Sequence, residues 1–109
     1  MIHDRLIASA VRLIRENGST GITVGEVCDK LNASRSTLER RMKAALNCTP
    51  KDEILRQRFH EVERLLRDTD LTIEVIAEMT GFAHSHYLQT AYRERHGRTP
   101  GEFRRRHRS

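Results

Sequence analysis

The sequence contains no tryptophan, two cysteines and two prolines among 109 residues. Cys28 and Cys48 form no CxxC pair, so both are expected to be reduced cytosolic thiols, with Cys28 in a core among apolar neighbours. No apolar run approaches the ~18–20 residues of a membrane span. Residues 1–17 do not read as a signal peptide either, because Asp4, Arg5, Arg12 and Arg15 interrupt the apolar positions. A Gly-rich phosphate loop is missing, the carboxylates are scattered, and Cys48 has no base partner, so no enzyme is expected. The length suits one domain or two small subdomains sharing a helix, and is short for a fold that buries a cofactor; none is expected. No segment alternates as a strand would.

What is present is charge, unevenly placed. The net charge is +5, with 32% charged and 37% hydrophobic residues, ordinary for a small helical protein and too apolar for a disordered one. Residues 34–60 carry seven basic and three acidic side chains, and residues 92–109 carry seven and two. Between them, residues 61–91 carry two basic and six acidic. Two basic blocks suit a polyanion partner, although charge alone fits a solvated surface equally well.

The apolar spacing predicts seven helices. Leu6, Ile7, Ala10, Val11, Leu13 and Ile14 give the first a broad apolar face, and Gly18 is expected to stop it. Thr23-Val-Gly-Glu26 is a capping box opening a short second helix with Val24, Val27, Cys28 and Leu31 inward. Asn32-Ala33 makes a turn, Ser34 caps a third helix, and Leu38, Met42 and Leu46 face inward, with Asn47 ending it in the left-handed conformation. Thr49-Pro50 starts a long fourth helix with Leu55, Phe59, Val62 and Leu66 inward, broken at residues 68–70. Thr72 caps a fifth, with Ile73, Ile76, Ala77 and Met79 as its apolar residues. Gly81 makes a turn, and the sixth runs from about Ala83 to His96 with Leu88, Ala91 and Tyr92 inward. Gly97 ends it, and Thr99-Pro100-Gly-Glu102 is a second capping box that opens the seventh.

Laying residues 23–50 on 72–100 reveals an internal repeat. Thr23, Val24, Val27 and Cys28 fall on Thr72, Ile73, Ile76 and Ala77, and Asn32 falls on Gly81. After one inserted residue, Leu38 falls on Leu88, Met42 on Tyr92, Asn47 on Gly97, and Thr49-Pro50 on Thr99-Pro100. Each copy is a short helix, a tight turn and a longer helix, the helix-turn-helix plan whose second helix enters the major groove. A step of ~100° per residue puts Ser36, Arg40 and Lys43 opposite Leu38 and Met42, and His86, Thr90 and Arg93 opposite Leu88 and Tyr92. Glu39 and Gln89 flank these faces. Such side chains suit base edges and phosphates, whereas a protein groove would ask for an apolar stripe.

Gly81-Phe82, Tyr87-Leu88, Tyr92-Arg93 and Gly97-Arg-Thr-Pro100 through Phe103-Arg104 resemble the C-terminal signature of AraC/XylS transcription regulators, over about residues 4–106. The resemblance implies an all-α, homeodomain-like fold with a first helix-turn-helix subdomain (1–48), a linking helix (49–67) and a second subdomain (68–109). Both recognition helices would enter successive major-groove segments of double-stranded DNA. The first recognition helix, residues 34–41, resembles more narrowly the xylose-operon branch, whose members carry an N-terminal sugar-sensing domain. By position, the implied base contacts are Arg35, Ser36, Glu39 and Arg40 in the first motif and His84, Ser85, His86, Gln89 and Thr90 in the second. Phosphate contacts are expected from Thr37, Arg41, Lys43, Thr72, Tyr87 and Arg93. Two departures bear on the reading: many members have arginine where this chain has Thr90, and Ser36 replaces a residue often large in relatives. RNA polymerase is an implied partner, and the cytoplasm the implied compartment.

Rival readings are weaker. His84 and His86 point apart on a helix and no Cys or carboxylate completes a tetrahedral set, so no metal is expected. No aromatic side chain stands on either outer face to stack RNA bases. The alternative from another class is a helical protein-interaction module such as a polymerase-binding adaptor.

Overall fold

The computed structural model describes residues 3–18 and 20–108, and among them every regular element is a helix, as the spacing predicts. The order is α1 (Arg5–Glu16), α2 (Val24–Leu31), α3 (Arg35–Leu46), α4 (Pro50–Asp68), α5 (Ile73–Met79), α6 (Ser85–His96) and α7 (Pro100–Arg106). Two compact units divide the chain: Met1–Gly18 with Ile22–Gln57, and Ser19–Gly21 with Arg58–Ser109. The division falls inside α4.

The first unit has an aliphatic core. Ile7, Ala10, Val11 and Ile14, spaced by three and four on α1, are buried with Val24, Val27 and Cys28 of α2, Leu38 and Met42 of α3, and Ile54 of α4. Burying each large aliphatic side chain contributes ~1.5–3 kcal/mol. Local chemistry sets the helix starts. Asp4 accepts from the Leu6 and Ile7 amides at 2.9 and 3.2 Å. Thr23 and Glu26 complete the expected box, with the Glu26 amide on Thr23 Oγ1 and the Thr23 amide on Glu26 Oε1, each at 3.1 Å. Thr49 and Asp52 exchange the same pair of bonds at the head of α4. Gly18 departs from expectation: α1 ends at Asn17 without a left-handed residue. Gly18 is instead buried, and a Cβ there would stand 3.3 Å from the Gln57 Cβ.

The second unit is built around rings. Phe59 lies 5.5 Å from Phe82 and 5.6 Å from Tyr92, ring centre to ring centre. His96 stacks on Tyr92 at 4.2 Å, and His107 on Phe103 at 4.2 Å. Such pairs contribute ~0.5–1.5 kcal/mol beyond the area they bury. The Tyr92 hydroxyl donates to Glu63 at 2.7 Å. Burial, followed by this carboxylate, pushes the Tyr92 phenol up to about 12. α7 begins at the second capping box, Thr99 with Glu102, both bonds 3.1 Å.

Two expectations about faces and one about a boundary are corrected. On α4, Leu55 is half-buried, while Ile54 is buried in the first unit's core and Leu65, with Phe59, Val62 and Leu66, in the second unit. On α5, Met79 is 48% exposed and Thr80 is buried in its place, donating from Oγ1 to the Ile76 carbonyl. Helical geometry explains it: Thr80 lies ~20° from the Ile73 direction and Met79 ~120°, at ~100° per residue. α6 starts at Ser85, two residues later than the apolar pattern suggests.

Candidate nucleic-acid interface

The repeat read from the sequence is present at atomic detail. α2 ends with Asn32 at φ 52°, and α5 is followed by Gly81 at φ 85°, the two positions the alignment pairs. The residue after each closes the same bond: the Ala33 amide donates to the Cys28 carbonyl, and the Phe82 amide to the Ala77 carbonyl, both at 3.0 Å. α3 and α6 end alike, with Asn47 at φ 56° and Gly97 at φ 73° donating to the carbonyls of Lys43 and Arg93. Each unit thus holds a short helix, a left-handed turn and a second helix of 12 residues.

Both second helices bury one stripe and expose the other. Leu38 with Met42, and Leu88 with Tyr92, have no exposed surface. Arg35, Ser36, Glu39, Arg40 and Lys43 on α3 are exposed, as are His84, His86, Gln89, Thr90 and Arg93 on and before α6; Ser85 is half-buried. All nine side chains expected to meet bases therefore lie on or at the head of these two helices.

Several carry partners that restrict what they can do. Arg35 is 3.8 Å from Glu39, one turn on. Arg41 gives both Nε and Nη2 to Asp4 at 2.8 Å, and this hydrogen-bonded pair holds the Asp4 carboxyl below its usual range. A phosphate must compete with Asp4 for Arg41. Thr37 bonds Ser34 through hydroxyl and amide, and Thr72 caps α5 by accepting the Val75 amide, so both are already used locally. Tyr87 is 42% exposed with its ring against Phe82 at 5.6 Å. The helix starts differ as well: Ser34 caps α3, whereas His84 makes no side-chain bond to the head of α6.

The C-terminal basic block is only partly available. Arg104 donates from Nε to the Leu66 carbonyl at 3.0 Å and from Nη2 to the Thr69 carbonyl at 3.1 Å. Arg108 donates to the Thr69 carbonyl at 2.9 Å and pairs with Asp70. These arginines satisfy the orphan carbonyls at the end of α4. Arg95 and Arg98 lie over the rings of Phe59 and Phe103. Nothing in the residues around Arg104 signals this, since the carbonyls lie 35 and 38 residues away.

Cys48 lines a shallow cleft with Val11, Arg15, Leu46, Glu53 and Arg56. Burial, then the Glu53 and Asp52 carboxylates, push its thiol up, the opposite of an activated nucleophile. Among the described residues no group of three or more His, Cys, Asp or Glu is placed to hold a metal ion, and no helix is long and apolar enough to cross a membrane.

Two left-handed turns, each delivering a polar second helix to the surface, define a helix-turn-helix protein. A family model described as a helix-turn-helix domain matches residues 27–106, and the chain belongs to that family, the DNA-binding domains of AraC-type transcription regulators. It is 35% identical to a xylose operon regulatory protein of Haemophilus influenzae over 101 residues, covering 93% of this chain and 26% of that protein. Identity to the protein of the same name from Escherichia coli K12 is 31%, with the same coverage. The chain thus spans about a quarter of these relatives. Among solved structures, a xylose-binding transcription activator superposes with a TM-score of 0.85 at 29% identity, covering 99% of this chain and 28% of that one. The C-terminal domain of a response regulator from Geobacillus stearothermophilus gives 0.90 at 27% identity, covering 97% and 88%. The fold also matches the DNA-binding domain of a global transcription factor solved with its target DNA, with a TM-score of 0.84 at 24% identity.

Proposed function

We propose that this chain is the DNA-reading part of a sugar-operon regulator, of the xylose type, and that α3 and α6 each enter a major-groove segment of double-stranded DNA. The observation that carries this is the matched pair of exposed polar faces behind identical left-handed turns. A first reading subdomain (1–48), a linking helix (49–67) and a second subdomain (68–109) divide the work. Arg35, Ser36, Glu39 and Arg40 meet bases in one segment, and His84, Ser85, His86, Gln89 and Thr90 in the other. Lys43 and Arg93 are the principal phosphate contacts, supplemented by Thr37, Thr72, Tyr87 and, in competition with Asp4, Arg41. The sugar is received by a separate effector domain, N-terminal to this part, consistent with the quarter of the relatives' length that the chain spans. RNA polymerase is the protein partner, and the cytoplasm is the compartment.

The test is binding of these residues to a duplex selected from a random pool, followed across salt. Neutralising several phosphates makes log affinity fall linearly with log salt, by ~0.9 per phosphate. With Arg104 and Arg108 held by Leu66, Thr69 and Asp70, the slope is smaller than the basic blocks alone suggest. An affinity flat in salt, or no selected sequence, overturns the proposal in favour of a protein-interaction module.

A further inference from the structure

The two recognition faces differ in one chemical respect beyond size. That of α3 carries the exposed basic side chains of Arg35, Arg40 and Lys43. At the positions equivalent to Ser34 and Ser36, the second motif has His84 and His86, both exposed. A neutral imidazole offers one donor and one acceptor, and an imidazolium offers two donors and a charge. Its ordinary titration range lies within physiological pH.

We infer that duplex binding by the second motif takes up protons on His84 and His86, so that the domain reads DNA more tightly as pH falls. The inference rests on the assignment of α6 to the DNA. Beside phosphates and guanine acceptors the imidazolium is favoured over the neutral ring, by the Coulomb attraction and by its second donor. No acidic residue occupies the first turn of α6. The charged and titratable groups around the two histidines are Arg58, His60, Glu61, Glu63, Arg64, Arg67 and Asp68 on the second unit's stretch of α4, Glu74 and Glu78 on α5, Arg93, Glu94, Arg95 and His96 on α6 itself, and Glu102, Arg104, Arg105 and Arg106 on α7. Several of these are already engaged: Glu61 by Arg64, Asp68 by Arg67, Glu63 by the Tyr92 hydroxyl, and Arg104 by the Leu66 carbonyl. The histidines with structural partners are others: His96 stacks on Tyr92, and His107 on Phe103.

The experiment measures affinity of the 109-residue chain for a duplex selected at neutral pH, at constant ionic strength, from about pH 8.5 to pH 5.5. For each histidine whose proton is held about one unit more tightly in the complex, affinity rises about tenfold across that range. His84→Gln with His86→Gln should flatten the profile, whatever its effect on alkaline affinity. His60→Gln and Arg40→Ala should keep the wild-type pH dependence, whatever their effect on affinity. Helicity at each pH shows that folding does not vary. Calorimetry in buffers of different ionisation enthalpy counts the protons directly. A tight complex whose affinity is flat in pH, or a pH dependence retained by the double variant, overturns proton-linked reading and leaves the DNA assignment standing. A chain that binds no duplex at any pH overturns both.

Discussion

The first unit packs Ile7, Ile14, Val27, Leu38 and Met42 with no aromatic ring among them, whereas the second gathers Phe59, Phe82, Tyr87, Tyr92 and Phe103, every aromatic side chain of the chain. Yet both follow one plan. The alignment that pairs Met42 with Tyr92 also pairs Asn32 with Gly81 and Asn47 with Gly97, and all four turn residues adopt positive φ. The plan is therefore held by the turns and caps, and the core is interchangeable so long as it fills its volume. The recognition faces differ along with the cores: two arginines and a lysine in one, histidines and a threonine beside a single arginine in the other.

The largest expected effect separates the cores. Phe59→Ala removes the ring on which Phe82, Tyr92 and His96 converge, and should cost about 3–5 kcal/mol. Because all aromatics lie in the second unit, near-ultraviolet circular dichroism reports that unit alone. Ile14→Ala, at about 2–5 kcal/mol, should lower helicity at moderate denaturant before the near-ultraviolet signal is lost. Simultaneous loss of both signals in both variants would mean that the two cores melt as one.

Next comes the turn pair. Gly81→Ala strains a left-handed backbone and brings a Cβ within 2.8 Å of the Gly21 Cα, so a loss of at least about 2 kcal/mol is expected. Asn32→Gly, at the equivalent turn, should change stability by a few tenths. Equal effects in denaturant melts would break the equivalence of the two turns.

A third comparison concerns the faces. Arg40 and Thr90 occupy equivalent positions, but arginine can donate two bonds to guanine, a pair contributing ~1–3 kcal/mol of discrimination. Arg40→Ala should relax preference at one or two base pairs more than Thr90→Ala does, and Arg93→Ala should weaken all duplexes about equally. A panel of single-base-pair changes checks this, and equal relaxation by the first two variants would sink the asymmetry.

The smallest effects are pH-dependent. The raised Tyr92 phenol contributes stability that is complete below pH 10 and is lost as pH rises through about 12. The lowered Asp4 carboxyl, held by Arg41, acts in the opposite sense: its contribution is present above the ordinary carboxylate range and is lost as pH falls through the folded-state value. Tyr92→Phe should blunt alkaline unfolding of the second unit, and Asp4→Asn should blunt a small part of the acid unfolding of the first. Unfolding midpoints across pH, read unit by unit, decide both.

What was legible in the sequence was whatever a few neighbouring residues decide. Thr23 with Glu26, Thr99 with Glu102, Asn32 and Gly81 all act within five residues of themselves. The second motif was legible for the same reason, despite its inserted residue. Faces were less so. The apolar character of Leu55 and Met79 could not reveal that Ile54 and Thr80 take the inner positions, because a shift of one residue turns a helix by ~100°. Long-range partners were not legible at all. Nothing near Arg104 or Arg108 points to the carbonyls ending α4, and nothing near Arg41 points to Asp4, 37 residues earlier.

The glycine contact also bears on how this molecule can be taken apart. Gly21 precedes α2, yet the segment Ser19–Gly21 belongs to the second compact unit, where Gly81 leaves its backbone room to approach. A fragment that starts at Arg58 lacks that segment and begins midway along α4. One that stops at Gln57 keeps the segment but leaves it without its unit. The repeat is plain as a pattern, but no single cut in the chain follows the boundary between its two units: exchanging one motif for another at the level of the gene splits the short segment before α2 from the unit it belongs to.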